Sequence, residues 1–343
     1  MIEALSNRRQ ALAWLAGAAA LTTFRPAAAA RLDNDLLARA ADRAASLDQL
    51  RSLVVARNGE IVLGEAFRGP ALADPVNVKS VSKTIVATLV GIAIDKGMLP
   101  GADTPLRTAA PGLLPRDAPA GAGEITVGQL LSMQSGLERT SGPNYGRWVA
   151  SDNWVRFVLS RPFVAEPGGP MLYSTGNYHV LGAILAERTG RSLRDLARDW
   201  LGDPLDFDVP PWTRDPQGRF MGGNNMRMSA LALLRFGEMA RTRGMWAGQR
   251  IVGRDWLEAS WRPRARSPWS GHDYGYGWFL ARARGHWLAY ARGYGGQIVY
   301  VVPTLDMTVV ITSDPNRPAR SGGYIDDLHG LLADTLIPAA ERT

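Results

Sequence analysis

Apolar and polar residues alternate in a way that predicts strands near both ends of the chain. Near the start, residues 53–57 and 60–65 form two apolar-rich runs joined by Asn58-Gly59. This pair supplies the left-handed backbone that a two-residue hairpin turn needs. Four later runs, separated by turns, predict further strands at 275–280, 286–290, 297–302 and 307–312. Strands at both ends indicate one antiparallel sheet assembled from the two halves of the chain.

Helical periodicity dominates the middle of the chain. One predicted helix runs from about Ser80 to Lys96 and ends at Gly97, a residue suited to a helix C-cap. Residues 98–123 are rich in Pro, Gly and Ala and predict a loop. Further helices are predicted at 36–47, 127–133, 153–159, 177–187, 228–242, 255–261 and 323–336.

These elements predict an α/β (α+β) fold. Its antiparallel sheet, built from both chain ends, carries flanking N- and C-terminal helices, and a mainly helical region is inserted between the two sets of strands. Residues 31–78 and 243–343 are expected to form the sheet part. Residues 79–242 are expected to form the helical part, and both parts together make one domain.

The first 30 residues have the pattern of an export signal. Arg8-Arg9 precede an apolar stretch from Ala11 to Phe24, and small residues follow up to Ala30. This pattern predicts a signal peptide of twin-arginine type, cleaved near Ala30, and hence a periplasmic or secreted protein. An N-terminal amphipathic helix or membrane anchor is the alternative. No apolar run is long enough to predict a stable membrane span.

Composition excludes several classes of site. The net charge of +7 is spread along the chain, whereas nucleic-acid binding usually concentrates basic residues on one element, so no nucleic-acid partner is predicted. The absence of cysteine excludes disulfides, thiolate nucleophiles and cysteine-bound zinc. The four histidines are widely separated, and no phosphate-binding or dinucleotide-binding loop is present, so neither a metal nor a cofactor is predicted. The oligomeric state stays open.

Ser80 and Lys83 form an S-x-x-K pair at the start of a predicted helix. Residues three apart on a helix have Cβ atoms about 5–6 Å apart, so the amine can reach the hydroxyl. Burial and the positive end of the helix dipole lower the pKa of such a lysine, and the unpaired Ser80 N–H can donate to an oxyanion. Lysine is scarce in this chain, which makes a chance match less frequent. The alternative is an N-cap serine followed by an exposed lysine.

Two other segments carry candidate chemistry. A Pro/Gly loop, 167–170, leads to Tyr173, which can act as a general base and return the proton to a leaving group. By itself Tyr173 is also typical of a packed aromatic. The segment 291–296 combines glycines with a predicted strand, so its backbone can approach a ligand and offer a second oxyanion donor. A β-bulge or tight turn is the alternative there.

In this order, the three segments resemble the serine β-lactamase and penicillin-binding superfamily. The fit is best to its class C-like branch of esterases, D-amino-acid peptidases and 6-aminohexanoate-oligomer hydrolases. The resemblance implies that Ser80 is acylated, that Lys83 and Tyr173 move protons, and that the N–H groups of Ser80 and Tyr294 bind the oxyanion. It extends roughly from Leu50 to Ser313 and rests on segments 79–84, 125–137, 173–182, 222–229 and 274–278.

Two departures from the family pattern bear on the substrate. The Tyr-x-Asn motif ends in Thr175, so a hydroxyl replaces the amide that would contact substrate. The Lys-Thr-Gly motif reads Ala291-Arg292-Gly293, and no lysine occurs after Lys96. Arg292 should point to the opposite face of the strand from Ala291. These departures favour an ester or small amide without a carboxylate over a β-lactam.

The sequence therefore predicts a serine hydrolase that acts through an acyl-enzyme on a small-molecule ester or amide. Two alternatives stay open: β-lactamase or D,D-peptidase activity on cell-wall-like substrates, and a protein that binds envelope peptides without turnover. Tyr145 and Trp148 either wall an acyl pocket or belong to the core. The expected substrate-binding residues are Thr175, Ala291, Arg292, Gly293, Tyr145 and Trp148.

Overall fold

The computed structural model describes residues 32–319 and 322–342, and the predicted export signal lies outside them. Strands among these residues are numbered in chain order. They are β1 to β12: Leu50–Arg57, Glu60–Ala66, Val76–Asn77, Arg227–Met228, Met245–Trp246, Gln249–Arg250, Ala265–Arg266, Asp273–Tyr274, Phe279–Ala283, His286–Gly293, Gln297–Val302 and Met307–Ser313.

Helices are numbered in the same way. They are α1 to α12: Asn34–Ser46, Val81–Asp95, Leu106–Ala109, Val127–Leu131, Tyr145–Val149, Trp154–Leu159, Thr175–Thr189, Leu193–Ala197, Ala230–Arg241, Arg254–Ser260, Tyr324–Leu331 and Ile337–Glu341. Two π-helical segments, Arg198–Gly202 and Leu332–Leu336, continue α8 and α11. Short 3₁₀ turns occur at Pro111–Leu113, Ala122–Glu124, Gly142–Asn144 and Pro303–Leu305. No helix among the described residues has the length and apolar character needed to span a bilayer.

Both ends of the chain build one eight-stranded antiparallel sheet, in the order β2-β1-β12-β11-β10-β9-β8-β7. The first and last strands of this sheet in sequence are neighbours, with Val54 opposite Val310. The β1–β2 hairpin turns at Asn58 and Gly59, whose φ angles are 51° and 86°, as the Asn-Gly pair predicts. The predicted fold class is confirmed. The division of the domain into a sheet part and a helical part stays a prediction.

One predicted strand is wrong. Residues 275–280 do not form a continuous strand, because a tight turn at Gly275–Gly277 separates β8 from β9. A Cβ on Gly275 would lie 2.0 Å from the Ser260 carbonyl oxygen, so only glycine lets this turn approach the end of α10. The aromatic side chains of Tyr276 and Trp278 on either side of Gly277 are buried in the core.

The sheet is covered by helices on both faces. On β11, Val299 lies against Gly237 of α9, where an added Cβ would be 2.9 Å away. The next residue, Tyr300, shares a 2.8 Å hydrogen bond with Nδ1 of His329 on α11. Because successive side chains of a strand point to opposite faces, α9 and α11 lie on opposite sides of the sheet. α1 packs with α11 and α12.

Helix α2 packs against both the sheet and α7. Its residues from Val81 to Ala93 are all buried, which fits an apolar helix packed on every side. Its partners in the sheet are β10 and β11. The indole of Trp256 lies across Gly91, where an added Cβ would be 2.1 Å from the ring. Helix α2 therefore lies between α7 and the sheet.

Candidate active site

Ser80 directly precedes α2 and is positioned by a strained turn. Lys79, the residue before it, has a φ of +50°, a left-handed conformation that non-glycine residues rarely adopt. Ser80 occupies the N-cap position, yet its hydroxyl does not cap the helix. Instead its Oγ accepts a 2.9 Å hydrogen bond from Lys83 Nζ. The alternative of an N-cap serine with an exposed lysine is therefore wrong, since Lys83 is only 1% exposed.

The Lys83 amine is held by three oxygen atoms, none of them from a carboxylate. Besides Ser80 Oγ, it donates to Thr175 Oγ1 at 3.2 Å and to the Gly223 carbonyl at 2.6 Å. Burial lowers the pKa of Lys83 from 10.5 to about 7, because removal from water disfavours the charged form. A large share of this amine is neutral near pH 7, and a neutral amine beside Ser80 Oγ can take up its proton.

The ring of Tyr173 also lies beside this amine. Lys83 Nζ is 5.0 Å from the centre of the Tyr173 ring, and Trp269 packs edge-on against that ring at 5.9 Å. Burial raises the pKa of Tyr173, while hydrogen bonding to Ser80 and the charge of Arg292 oppose that rise. Tyr173 therefore carries its proton at neutral pH. The Tyr173 phenol can donate that proton to a leaving group, whereas Lys83, with its low pKa, is suited to act as the base.

The backbone N–H groups of Ser80 and Tyr294 donate to no protein acceptor among residues 32–319 and 322–342. Both residues line the same cavity. Gly293 brings β10 close to the residues before Ser80: an added Cβ there would be 2.4 Å from the Val78 carbonyl and 3.1 Å from Lys79 Cβ. Two free N–H groups beside a nucleophile are what an oxyanion hole requires.

The cleft in front of Ser80 is a cavity of about 740 Å³. No acidic side chain is among the described residues that line it, whereas Lys79 and Arg292 are. Its aromatic wall consists of Tyr145, Tyr173, Trp269, Phe279 and Tyr294. A cavity that combines aromatic side chains with polar groups is typical of a small-molecule site.

Most of the predicted site residues come together at this cleft. Lys83 lies directly behind Ser80, and the residues on the cleft wall include Ser80, Tyr145, Tyr173, Thr175, Arg292, Gly293 and Tyr294. Ala291 and Trp148 do not line it, and both are completely buried. Ala291 points into the core because strand side chains alternate. Trp148 packs against Trp154, with ring centres 5.2 Å apart.

Three residues of the site were missed by sequence reasoning. Ser141 Oγ lies 2.9 Å from Thr175 Oγ1 and accepts from the Thr175 backbone N–H at 2.9 Å. Trp269 packs on Tyr173, and the Gly223 carbonyl binds Lys83. Segment 222–229 had contributed to the resemblance without a role, while nothing in the sequence marked Ser141 or Trp269. No cluster of three or more potential metal ligands occurs in the described part of the chain.

A family model described as Beta-lactamase matches residues 51–334. Penicillin-binding protein 4 of Amycolatopsis lactamdurans is 35% identical over 153 residues, which cover 43% of this chain and 39% of that protein. The match thus spans well under two thirds of that relative's length.

Solved structures share the fold. A Bacillus anthracis protein provisionally named as a 6-aminohexanoate-dimer hydrolase has a TM-score of 0.70 at 18% identity, covering 86% of this chain and 80% of its own. EstCE1, described as a hydrolase with promiscuous acyltransferase activity, has a TM-score of 0.72 at 19% identity, covering 88% of this chain and 99% of its own.

Proposed function

The chain belongs to the Beta-lactamase family, and we propose that it is a serine hydrolase that cleaves an ester or a small amide through an acyl-enzyme on Ser80. The observation that carries the proposal is the 2.9 Å hydrogen bond from the buried Lys83 amine to Ser80 Oγ. A serine hydroxyl is a weak nucleophile until a base takes its proton. Lys83 has the location and the lowered pKa for that task.

The proposed reaction has two steps. Lys83 accepts the proton of Ser80 as Oγ attacks the substrate carbonyl, and the Ser80 and Tyr294 N–H groups stabilise the oxyanion. Tyr173 donates its proton to the leaving oxygen or nitrogen and regains one from the Lys83 ammonium. Water then attacks the acyl-enzyme, gives up a proton to the same network and releases the carboxylic acid, while Ser80 Oγ is reprotonated.

An ester or small amide is supported by the lining of the cleft. Its lining includes five aromatic side chains, and the third motif carries Ala291 where a lysine is expected. Thr175 Oγ1 bonds to Ser141 and Lys83, which places this hydroxyl beside the Ser80–Lys83 pair. One structural neighbour is named as a 6-aminohexanoate-dimer hydrolase, and another, EstCE1, as a hydrolase with promiscuous acyltransferase activity.

β-Lactamase or D,D-peptidase activity is the second candidate, and Arg292 is the observation that favours it. Its side chain makes no hydrogen bond or ion pair within the described residues, and no acidic residue shares the cleft lining. An unpaired guanidinium can bind a substrate carboxylate by two hydrogen bonds. A protein that binds envelope peptides without turnover is the candidate outside the enzymes.

We also propose export of the chain through its twin-arginine-type signal. The support is the Arg8-Arg9 pair with the apolar stretch from Ala11 to Phe24. Fusing residues 1–30 to a reporter that gains activity only outside the cytoplasm tests this proposal. A reporter that stays inactive, or that is equally active after Arg8→Lys and Arg9→Lys, contradicts it.

Hydrolysis of a short-chain p-nitrophenyl ester, compared with that of a chromogenic cephalosporin, tests the proposed function. We expect faster turnover of the ester, no turnover of either by Ser80→Ala, and loss of fluorophosphonate labelling in that variant. Ser270→Ala, which changes another cleft serine, is the matched control and should keep its label. Equal labelling of Ser80→Ala refutes the nucleophile, faster cephalosporin turnover favours the second candidate, and labelling without product release favours a binding protein.

A further inference from the structure

Two buried, titratable side chains near the site have no part in the proposed reaction. His179 lies on α7, one helical turn after Thr175, and its Nε2 is 3.0 Å from Oδ2 of Asp215. Neither side chain is exposed to solvent. Asp215 Oδ1 accepts a 2.7 Å hydrogen bond from the Arg219 backbone N–H, and the Arg219 guanidinium lies 3.7 Å from Oδ2. The carboxylate of Asp215 is thereby satisfied on both oxygens.

The second nitrogen of His179 faces the segment that leads to Lys83. Its Nδ1 accepts a hydrogen bond of 3.4 Å from the Gly222 N–H. Gly222 also packs directly on α7, since an added Cβ would be 2.1 Å from the Tyr178 carbonyl oxygen. The hydrogen bond to His179 is long, but the backbone of Gly222 also packs tightly on α7. Together these two contacts hold Gly222 in place.

The next residue, Gly223, connects this segment to Lys83. Its carbonyl accepts the 2.6 Å hydrogen bond from Lys83 Nζ, the shortest of the three that this amine makes. Gly223 is itself confined, because an added Cβ would lie 2.7 Å from the Thr175 carbonyl. Asn224 follows on the cleft wall and donates to the Tyr145 hydroxyl at 3.2 Å. A shift of Gly222 therefore moves both an acceptor of Lys83 and a wall of the cleft.

We propose that His179 and Asp215 are positioning residues that fix the Gly223 carbonyl against Lys83 and so aim the amine at Ser80. The proposal rests on the proposed function at Ser80. It assigns a role to two residues that touch neither substrate nor nucleophile and that act only through the Gly222–Gly223 backbone.

The pair can do this only in one arrangement of protons. Asp215 accepts from His179 Nε2–H, which leaves Nδ1 without a proton and able to accept from Gly222. Burial lowers the pKa of His179 and so keeps the ring neutral. The rings of Trp148 and Trp154 pack against the imidazole with centres 5.9 and 5.4 Å away. They exclude the water that would otherwise compete for Nδ1.

Asp215→Asn is the most direct test because it hardly changes volume. If the oxygen of the new side-chain amide accepts from the Arg219 N–H, the amide NH₂ faces His179 Nε2. The ring proton of His179 then moves to Nδ1, opposite the Gly222 N–H. Two donors then face each other and Gly222 is displaced. We expect kcat for the p-nitrophenyl ester to fall about tenfold and KM to change less, because small misplacements of reacting groups cost rate. The acid limb of the kcat profile should move to lower pH, because Lys83 loses an acceptor that favours its ammonium form.

Substitutions of His179 separate positioning from simple loss of packing. His179→Asn keeps an acceptor near the position of Nδ1 and should retain more kcat than His179→Leu, which has none. Asp215→Asn should have little further effect in the His179→Asn background, because the two changes break one chain of contacts. Rates are expressed per active site titrated with fluorophosphonate, so a lower folded fraction does not count as lost kcat.

His329→Asn is the matched control. His329 also has a hydrogen-bonded Nδ1, to Tyr300 at 2.8 Å, but it lies on α11, away from the Lys83 network. We expect its kcat per titrated site and its pH profile to match the wild type. The proposal is overturned if Asp215→Asn and His179→Leu keep the wild-type kcat and pH profile, or if His329→Asn changes them equally. Wild-type protein that hydrolyses no ester through Ser80 would instead refute the proposed function, and this proposal with it.

Discussion

Lys83 makes the pH dependence of hydrolysis a quantitative test of the reaction. Burial takes the pKa of Lys83 from 10.5 to about 7, a change that corresponds to roughly 5 kcal/mol between the two protonation states. At pH 8 about nine-tenths of the Lys83 amine is then neutral, against about 0.3% for an exposed lysine. The buried site thus supplies about 300-fold more base than an exposed lysine would at that pH.

The value of kcat/KM for the p-nitrophenyl ester should therefore rise about tenfold per pH unit up to about pH 7 and level off above it. Release of p-nitrophenol is followed between pH 5 and 9 at a wavelength where its two forms absorb equally. Lys83→Arg should lose about 10²- to 10⁴-fold in rate, because a guanidinium stays protonated. A flat profile over this range, or Lys83→Arg at more than a tenth of the wild-type rate, refutes Lys83 as the base.

Three further predictions follow from contacts around the cleft. Tyr173→Phe should lower kcat about 10²- to 10⁴-fold in the ester assay; a loss below twofold contradicts its role as proton donor. Gly293→Ala, whose Cβ would lie 2.4 Å from the Val78 carbonyl, should lower kcat while circular dichroism stays native, whereas Gly146→Ala, with nothing within 4 Å, should not. Lys83→Met should raise Tm by about 2–4 °C below pH 7, and this gain should shrink toward pH 10. The reason is that the lysine of the unfolded chain binds a proton up to about pH 10.5, whereas the lysine of the folded chain binds one only up to about pH 7. An unchanged or lowered Tm in calorimetry at pH 6 contradicts that stability argument.

Features that depend on neighbouring residues could be predicted from the sequence. The Asn58-Gly59 turn follows from local backbone preference. The contact between Ser80 and Lys83 follows from helix spacing once a helix is assumed. Such local rules also explain why β11 was predicted with its bounds, Gln297–Val302.

Features that depend on distant residues could not be predicted. The Gly223 carbonyl that binds Lys83 lies 140 positions away in sequence, and no local pattern distinguishes it from other glycine carbonyls. The break at Gly275 is caused by its approach to Ser260, whereas the flanking aromatic residues alternate as in a strand. Whether Trp148 lies in the core or on the cleft wall likewise depends on how α5, α6 and α7 pack.

The pairing of β1 with β12 has a consequence for how the chain folds during its synthesis on the ribosome. β1 is made early, and until β12 emerges it has only β2 as a partner, in a two-stranded ribbon that is marginally stable alone. Helix α2 also lacks two of its packing partners at this stage, because β10 and β11 are made after it. A nascent chain stopped before residue 307 should thus be open to proteases, and Ser80 should not react with fluorophosphonate until the sheet closes. Contacts between such distant parts of a chain make folding slow, so activity should appear only after β12 has been made and the sheet has closed.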